Sequence, residues 1–144
     1  YYAFIKNPRV TSKGLNTSAV FGFLLTLEEV LSKQNPTHIA VVFDPPGGNF
    51  RNELYPAYKA NRDATPEDIK LAVPYIKRLL EAFDIPVIEV PGFEADDVIG
   101  TLAVKASGQG YVTYMMTPDK DYAQLVKENV FMYKPARSGN DAEV

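Results

Sequence analysis

Apolar residues recur along the chain in two alternating patterns: faces with helical spacing, and short continuous runs. Val20, Phe23, Leu24, Leu27, Val30 and Leu31 line one face of a helix. Asn16 or Thr17 can cap its start, it runs to about Ser32, and Asn35-Pro36-Thr37 ends it. Ile39-Ala40-Val41-Val42-Phe43 is a continuous run typical of a parallel strand covered on both faces. It ends at Asp44-Pro45-Pro46-Gly47-Gly48, which no strand can cross. A second amphipathic pattern follows at Ile69, Val73, Ile76, Leu79, Leu80 and Phe83. Thr65 is its expected cap, Pro66 its first turn, and Glu67 and Asp68 favour its dipole. Pro74 lies inside the pattern and is expected to kink or divide the helix.

Pro86-Val87-Ile88-Glu89-Val90 predicts a second strand, and Pro91-Gly92 a turn. Val98, Ile99, Leu102, Ala103 and Ala106 then predict a helix closed by Gly108 and Gly110. Tyr111 to Met116 predicts a third strand, Tyr122 to Val126 a short helix, and Val130-Phe131-Met132-Tyr133 a fourth strand. Tyr1 to Ile5 is compatible with the end of a helix, and no internal repeat is visible. Strands alternating with helices imply a parallel sheet in an α/β layer fold.

Charge alters this picture at one edge. Glu94, Asp96 and Asp97 crowd the first turn of the helix after Gly92. The helix dipole favours acids there, yet three so close repel one another. Either they form an over-charged helix cap, or a divalent cation relieves the repulsion through carboxylate oxygens and retained waters. Asp44 and the Asp119/Asp121 pair also lie just past predicted strands. In open α/β sheets ligands bind at that carboxyl edge. Three acidic groups on one rim weaken the capping explanation.

Composition narrows the chemistry. The 144 residues are 46% hydrophobic and 23% charged, enough for a real core in one domain. With no cysteine and one histidine, His38, thiolate metal sites, zinc chemistry and Cys–His catalysis are poorly supported. Any metal would be held by oxygen. A net charge of −3 gives no support to a generic nucleic-acid binder. No membrane span or signal peptide is evident, so a soluble, cytoplasmic protein is the default. Residues 49–64 differ from the rest: Arg51, Lys59 and Arg62 alternate with Phe50, Tyr55 and Tyr58. Basic groups can take phosphates and rings can stack on bases; taken alone, the segment reads first as a solvated, partly helical excursion whose tyrosines pack locally, since Glu53 and Asp63 dilute the charge. A carboxylate rim beside such a segment fits metal-assisted phosphoryl transfer to water, with two Mg²⁺ roughly 3.5–4 Å apart. Lys120 is expected to point to solvent.

Gly92-Phe93-Glu94-Ala95-Asp96-Asp97 followed by Thr117-Pro118-Asp119-Lys120-Asp121 closely resembles the 5′-nuclease and flap endonuclease family. That family includes the 5′→3′ exonuclease domain at the front of bacterial DNA polymerase I. Val41-Val42-Phe43-Asp44, Phe50-Arg51 and Tyr58-Lys59-Ala60-Asn61-Arg62 also resemble it, as do Ser12-Lys13-Gly14 and Val20-Phe21-Gly22-Phe23. The resemblance covers nearly the whole chain. It implies a PIN-like, three-layer α/β fold with a mostly parallel central sheet, spanning 1–144 as one partial domain with an arch segment at 45–64. It implies divalent-metal-dependent cleavage near a free DNA 5′ end or flap, with Mg²⁺ or Mn²⁺, in replication and repair at the bacterial nucleoid. Asp44, Glu94, Asp96, Asp97, Asp119 and Asp121 would be the metal-site carboxylates. Arg51, Tyr58, Lys59 and Arg62 would face the DNA.

Members of the family carry an apolar strand ending in aspartate before the stretch matching Tyr1-Tyr2-Ala3-Phe4, and acidic residues and a helix-hairpin-helix beyond Asn140. Relative to them the chain reads as a piece of something longer, with a polymerase domain a candidate neighbour in the parent. Loss of a central first strand would expose apolar sheet edges, favouring self-association and leaving the activity of the piece alone open. Two other readings compete: a PIN-like module that binds DNA without cutting, and a Toprim-like domain, which leaves Asp44 and the Glu94–Asp97 cluster unexplained.

Overall fold

A computed structural model describes residues 8–47, 49–58, 65–135 and 144. The expected N-terminal helix end, Lys59, Arg62 and the polar run after Arg137 lie outside the described residues. The chain divides into two compact units, Tyr1–Val41 with Lys59–Val87, and Val42–Tyr58 with Ile88–Val144.

The first unit is built on two helices, α1 (Ser18–Gln34) and α3 (Glu67–Ala82), which pack on each other. Leu27, Ala72, Ile76 and Leu80 are its buried apolar residues on these helices. α1 extends two residues beyond the expected end and stops at Asn35, whose φ of 44° is left-handed. Thr17 occupies its cap position but gives its hydroxyl to the Arg9 carbonyl. Asn16 does the capping, its Oδ1 accepting the Ser18 N–H at 3.0 Å. The Asn16 amide also donates to Asp68 at 3.0 Å, tying the start of α1 to the start of α3. Thr65 does not cap α3 as expected: Pro66 holds that position, and its carbonyl accepts from Ile69 and Lys70. Pro74 does not divide α3, which runs unbroken through it. The proline is exposed.

The strands are shorter than their apolar runs. β1 keeps only Val41–Val42 and β2 only Val87–Ile88. Val41 N–H donates to Pro86 and Phe43 N–H to Ile88, so the two run parallel. The covered strand expected at 39–43 is instead a half-buried pair, because β1 has a partner on one side only among the described residues. The expected single sheet is likewise two small ones, β1 with β2 and β3 (Thr113–Met116) with β4 (Val130–Tyr133). β3 and β4 are parallel, with Thr113 opposite Val130 and Met116 opposite Tyr133.

The second unit holds that β3–β4 sheet, the short α2 (Phe50–Leu54) and α4 (Ala95–Gly108). Ala103 of α4, Met115, Val130 and Tyr122 form its buried core, with Ile99, Leu125 and Met132 against them. The expected helix after Asp121 is a 3₁₀ helix over Lys120–Leu125. Gly100 sets how near it comes to α4: a Cβ there would stand 3.0 Å from Leu125 Cδ1. Gly92, with φ of 83°, turns the chain into α4.

Candidate active site at the acidic helix

All the described site residues belong to the second unit. α4 begins at Ala95, so Glu94 is its cap residue and Asp96 and Asp97 fall in its first turn. Asp97 does cap: its Oδ2 accepts the Glu94 N–H at 3.1 Å. Glu94 and Asp97 together form a capping box, so the capping explanation covers two of the three acids and leaves Asp96.

Two carboxylates are tied to the segment that carries α2. Glu94 is nearly buried. Its Oε1 accepts from the Asn49 amide at 2.8 Å, and its Oε2 accepts from the Tyr58 hydroxyl at 3.3 Å. Asp97 receives both prongs of the Arg51 guanidinium, Nη1 to Oδ2 and Nη2 to Oδ1, each at 2.7 Å. Such a fork is the strongest geometry available to a carboxylate. Arg51 Nη1 also lies 3.6 Å from Glu94 Oε2. The bonds to Asp97 push the Arg51 pKa further up, with the charges of Asp97 and Glu94 adding to them and partial desolvation opposing. The segment reaches this place because Asn49 caps α2, its Oδ1 accepting from Arg51 and Asn52 N–H, while Phe50 N–H bonds the Gly92 carbonyl and its ring meets Phe93 at 5.7 Å.

The other four carboxylates are exposed. Asp96 makes no side-chain hydrogen bond among the described residues. Asp44 Oδ1 accepts the Ala95 N–H at 2.8 Å, which binds the segment after β1 to the first residue of α4. Asp119 Oδ1 accepts the Asp121 N–H at 3.0 Å and so starts the 3₁₀ helix. Tyr122 is buried in the core of this unit. Its phenol is raised above its ordinary range, first by burial and then by the charges of Asp96, Asp119, Asp44 and Asp97.

The donor set is all carboxylate oxygen, which suits a hard divalent cation. Among the described residues no group of three or more Asp, Glu, His or Cys side chains is placed to hold a metal ion. The residues fit such a cation in kind, with free oxygens on Asp44, Asp96, Asp119 and Asp121. Sequence reasoning missed Asn49 and Tyr122. An Asn just before a helical turn is a capping signal that could have marked the first; nothing in the pattern distinguished the second from an ordinary core tyrosine. His38 is exposed beside Thr37, and Lys120 is exposed as expected.

Small parallel sheets and connecting helices define the class: an α/β domain. The chain belongs to the family of the 5′-3′ exonuclease N-terminal resolvase-like domain, whose profile matches residues 1–144. It is 43% identical over 132 residues to a 5′-3′ exonuclease of Aquifex aeolicus, covering 92% of this chain and 46% of that one. It is 42% identical over 137 residues to DNA polymerase I of Mycobacterium bovis, covering 95% of this chain and 15% of the polymerase. The chain thus spans less than half of either relative. Among solved structures, a phage T5 flap endonuclease in a pseudo-enzyme-product complex with DNA and metal ions aligns with a TM-score of 0.61. That match covers 85% of this chain and 48% of the other at 22% identity, and shows the shared fold. The family removes the Toprim-like alternative. No helix among the described residues is long and apolar enough to cross a membrane.

Proposed function

We propose that the protein is a divalent-metal-dependent 5′→3′ exonuclease and flap endonuclease acting on DNA 5′ ends in bacterial replication and repair. The observation that carries this reading is the hydrogen bond from the Ala95 N–H to Asp44, which joins the acid after β1 to the Glu94–Asp97 turn that opens α4, in a chain of this family. Residues 1–144 make one PIN-like domain in this reading, and 45–64 its arch.

Asp44, Asp96, Asp119 and Asp121 would hold Mg²⁺ or Mn²⁺ through carboxylate oxygens, with Glu94 and Asp97 as the remaining acids of the site. Such ions, two in this reading, would supply activation of the attacking water and stabilisation of the leaving oxygen of a phosphodiester. The protein's own part is placement. Ala95 N–H orients Asp44, and Asp121 N–H orients Asp119. Arg51, Lys59 and Arg62 meet phosphates, and Tyr58 offers a ring to a base. A polymerase domain in the same parent chain, and self-association through the sheet edge beside Tyr114 and Met116, belong to the same reading.

One observation favours a second reading, a module that binds DNA ends without cutting: Glu94 and Asp97 are already engaged by Asn49, Tyr58 and Arg51. Incubating the full chain with 5′-flapped duplex DNA decides between them. Cleavage that requires Mg²⁺ or Mn²⁺, and falls at least about 100-fold in Asp119→Asn, supports the nuclease. Binding without cleavage at any metal concentration supports the module.

A further inference from the structure

Arg51 is exposed enough to reach solvent and carries the charge expected of a phosphate ligand, yet it spends both prongs on Asp97. Around it, Asn49 and Tyr58 hold the neighbouring carboxylate. Three side chains of one short segment thus grip the two least exposed acids of the rim, across 36 to 46 residues of sequence. A structural explanation alone would need only one such bond, since Phe50 already anchors the segment through its N–H to the Gly92 carbonyl and its ring to Phe93.

We propose that Arg51 is an internal counter-cation that competes with the divalent ion for Asp97. This rests on the reading of the rim as a cation site. Without an ion, the guanidinium neutralises the acids and latches residues 49–58 to the start of α4. An ion drawing on Asp97 competes with the fork, because three of the carboxylate's roughly four lone-pair sites are already taken by Arg51 and the Glu94 N–H, and the ion's charge repels the guanidinium beside it. The released guanidinium then has its charge free for a phosphate. Metal occupancy and the placement of the basic, aromatic segment are therefore linked, and linkage is reciprocal: whatever loosens the latch must tighten the ion by the same factor. Arg51 is a positioning residue in this account, acting on the ion through Asp97.

The test is a Mn²⁺ titration of the full chain, read from the free-ion spin-resonance signal, in wild type, Arg51→Gln and Lys120→Gln. Lys120 neighbours Asp119 and Asp121 in sequence and is exposed, so its loss reports the general effect of removing one positive charge. Competition predicts that Arg51→Gln binds Mn²⁺ on the order of five- to tenfold more tightly, while Lys120→Gln changes affinity less than about twofold at physiological salt. It also predicts that Mg²⁺ speeds amide exchange across Phe50–Tyr55 in wild type and not in Arg51→Gln. Equal or weaker binding in Arg51→Gln, an equal gain in Lys120→Gln, or slower exchange with Mg²⁺ overturns the proposal while leaving the cation site standing. Absence of Mn²⁺ binding in all three proteins overturns both.

Discussion

The six carboxylates of the rim divide into two sets that share a charge and little else. Glu94 and Asp97 are sheltered and paired, holding α4 to the segment 49–58 through Asn49, Arg51 and Tyr58. Asp44, Asp96, Asp119 and Asp121 are exposed, and where they are hydrogen-bonded their partners are backbone N–H groups that leave other oxygens free. The first set repays its crowding locally, through a capping bond and a guanidinium. In the second set Asp44 and Asp119 each have one backbone N–H and no cation among the described residues, and Asp96 has no side-chain hydrogen bond. Repulsion that nothing local relieves is the mark of groups arranged for an external partner.

The contrast breaks most severely where the two sets are spaced. Gly100 lets α4 approach Leu125, and so places the 3₁₀ helix that carries Asp121 after Asp119. Gly100→Val drives branched carbons into that side chain. It should cost about 1–3 kcal/mol of stability by overpacking, and should lower flap cleavage further than the loss of folded protein explains. Urea unfolding and cleavage assays on the same preparation check this; unchanged stability would mean that the approach of α4 to the 3₁₀ helix is loose.

A smaller effect reports the field of the exposed set. Tyr122 ionises above its ordinary value of 10.0, because burial and four carboxylates oppose the phenolate. A raised folded pKa contributes stability that is complete below the unfolded value and is lost as pH rises through the folded one. Wild-type stability should therefore decline above about pH 10, and Tyr122→Phe should flatten that decline. Denaturation midpoints between neutral and strongly alkaline pH measure it; identical slopes would place the phenol outside the acidic field.

Much of this was legible in the sequence, for reasons tied to periodicity. The faces of α1, α3 and α4 appeared because a helix buries every third or fourth residue, and the parallel strands because their runs were unbroken. The site's elements also declared themselves, since acids past strand ends need no tertiary information to be noticed. Strand length did not show: Ile39 to Phe43 is apolar throughout, but pairing on one side only leaves two residues in β1. Partnership did not show either. Arg51 reads as a phosphate ligand in sequence and as Asp97's partner in space, because 46 residues separate them and no local pattern joins them. Asn49 and Tyr122 were silent for the same reason.

The central claim is that the exposed acids exist to bind a cation and not to cap a helix. Asp96→Asn tests it most directly, because the substitution keeps shape and removes only charge from a side chain with no bond to lose among the described residues. Mn²⁺ titration and thermal unfolding of the full chain, side by side with this variant, give the answer. The account predicts Mn²⁺ binding weakened at least about tenfold, with Tm unchanged or raised as like-charge repulsion eases. Unchanged Mn²⁺ affinity together with a lowered Tm, the behaviour of a helix-capping acid, would contradict it.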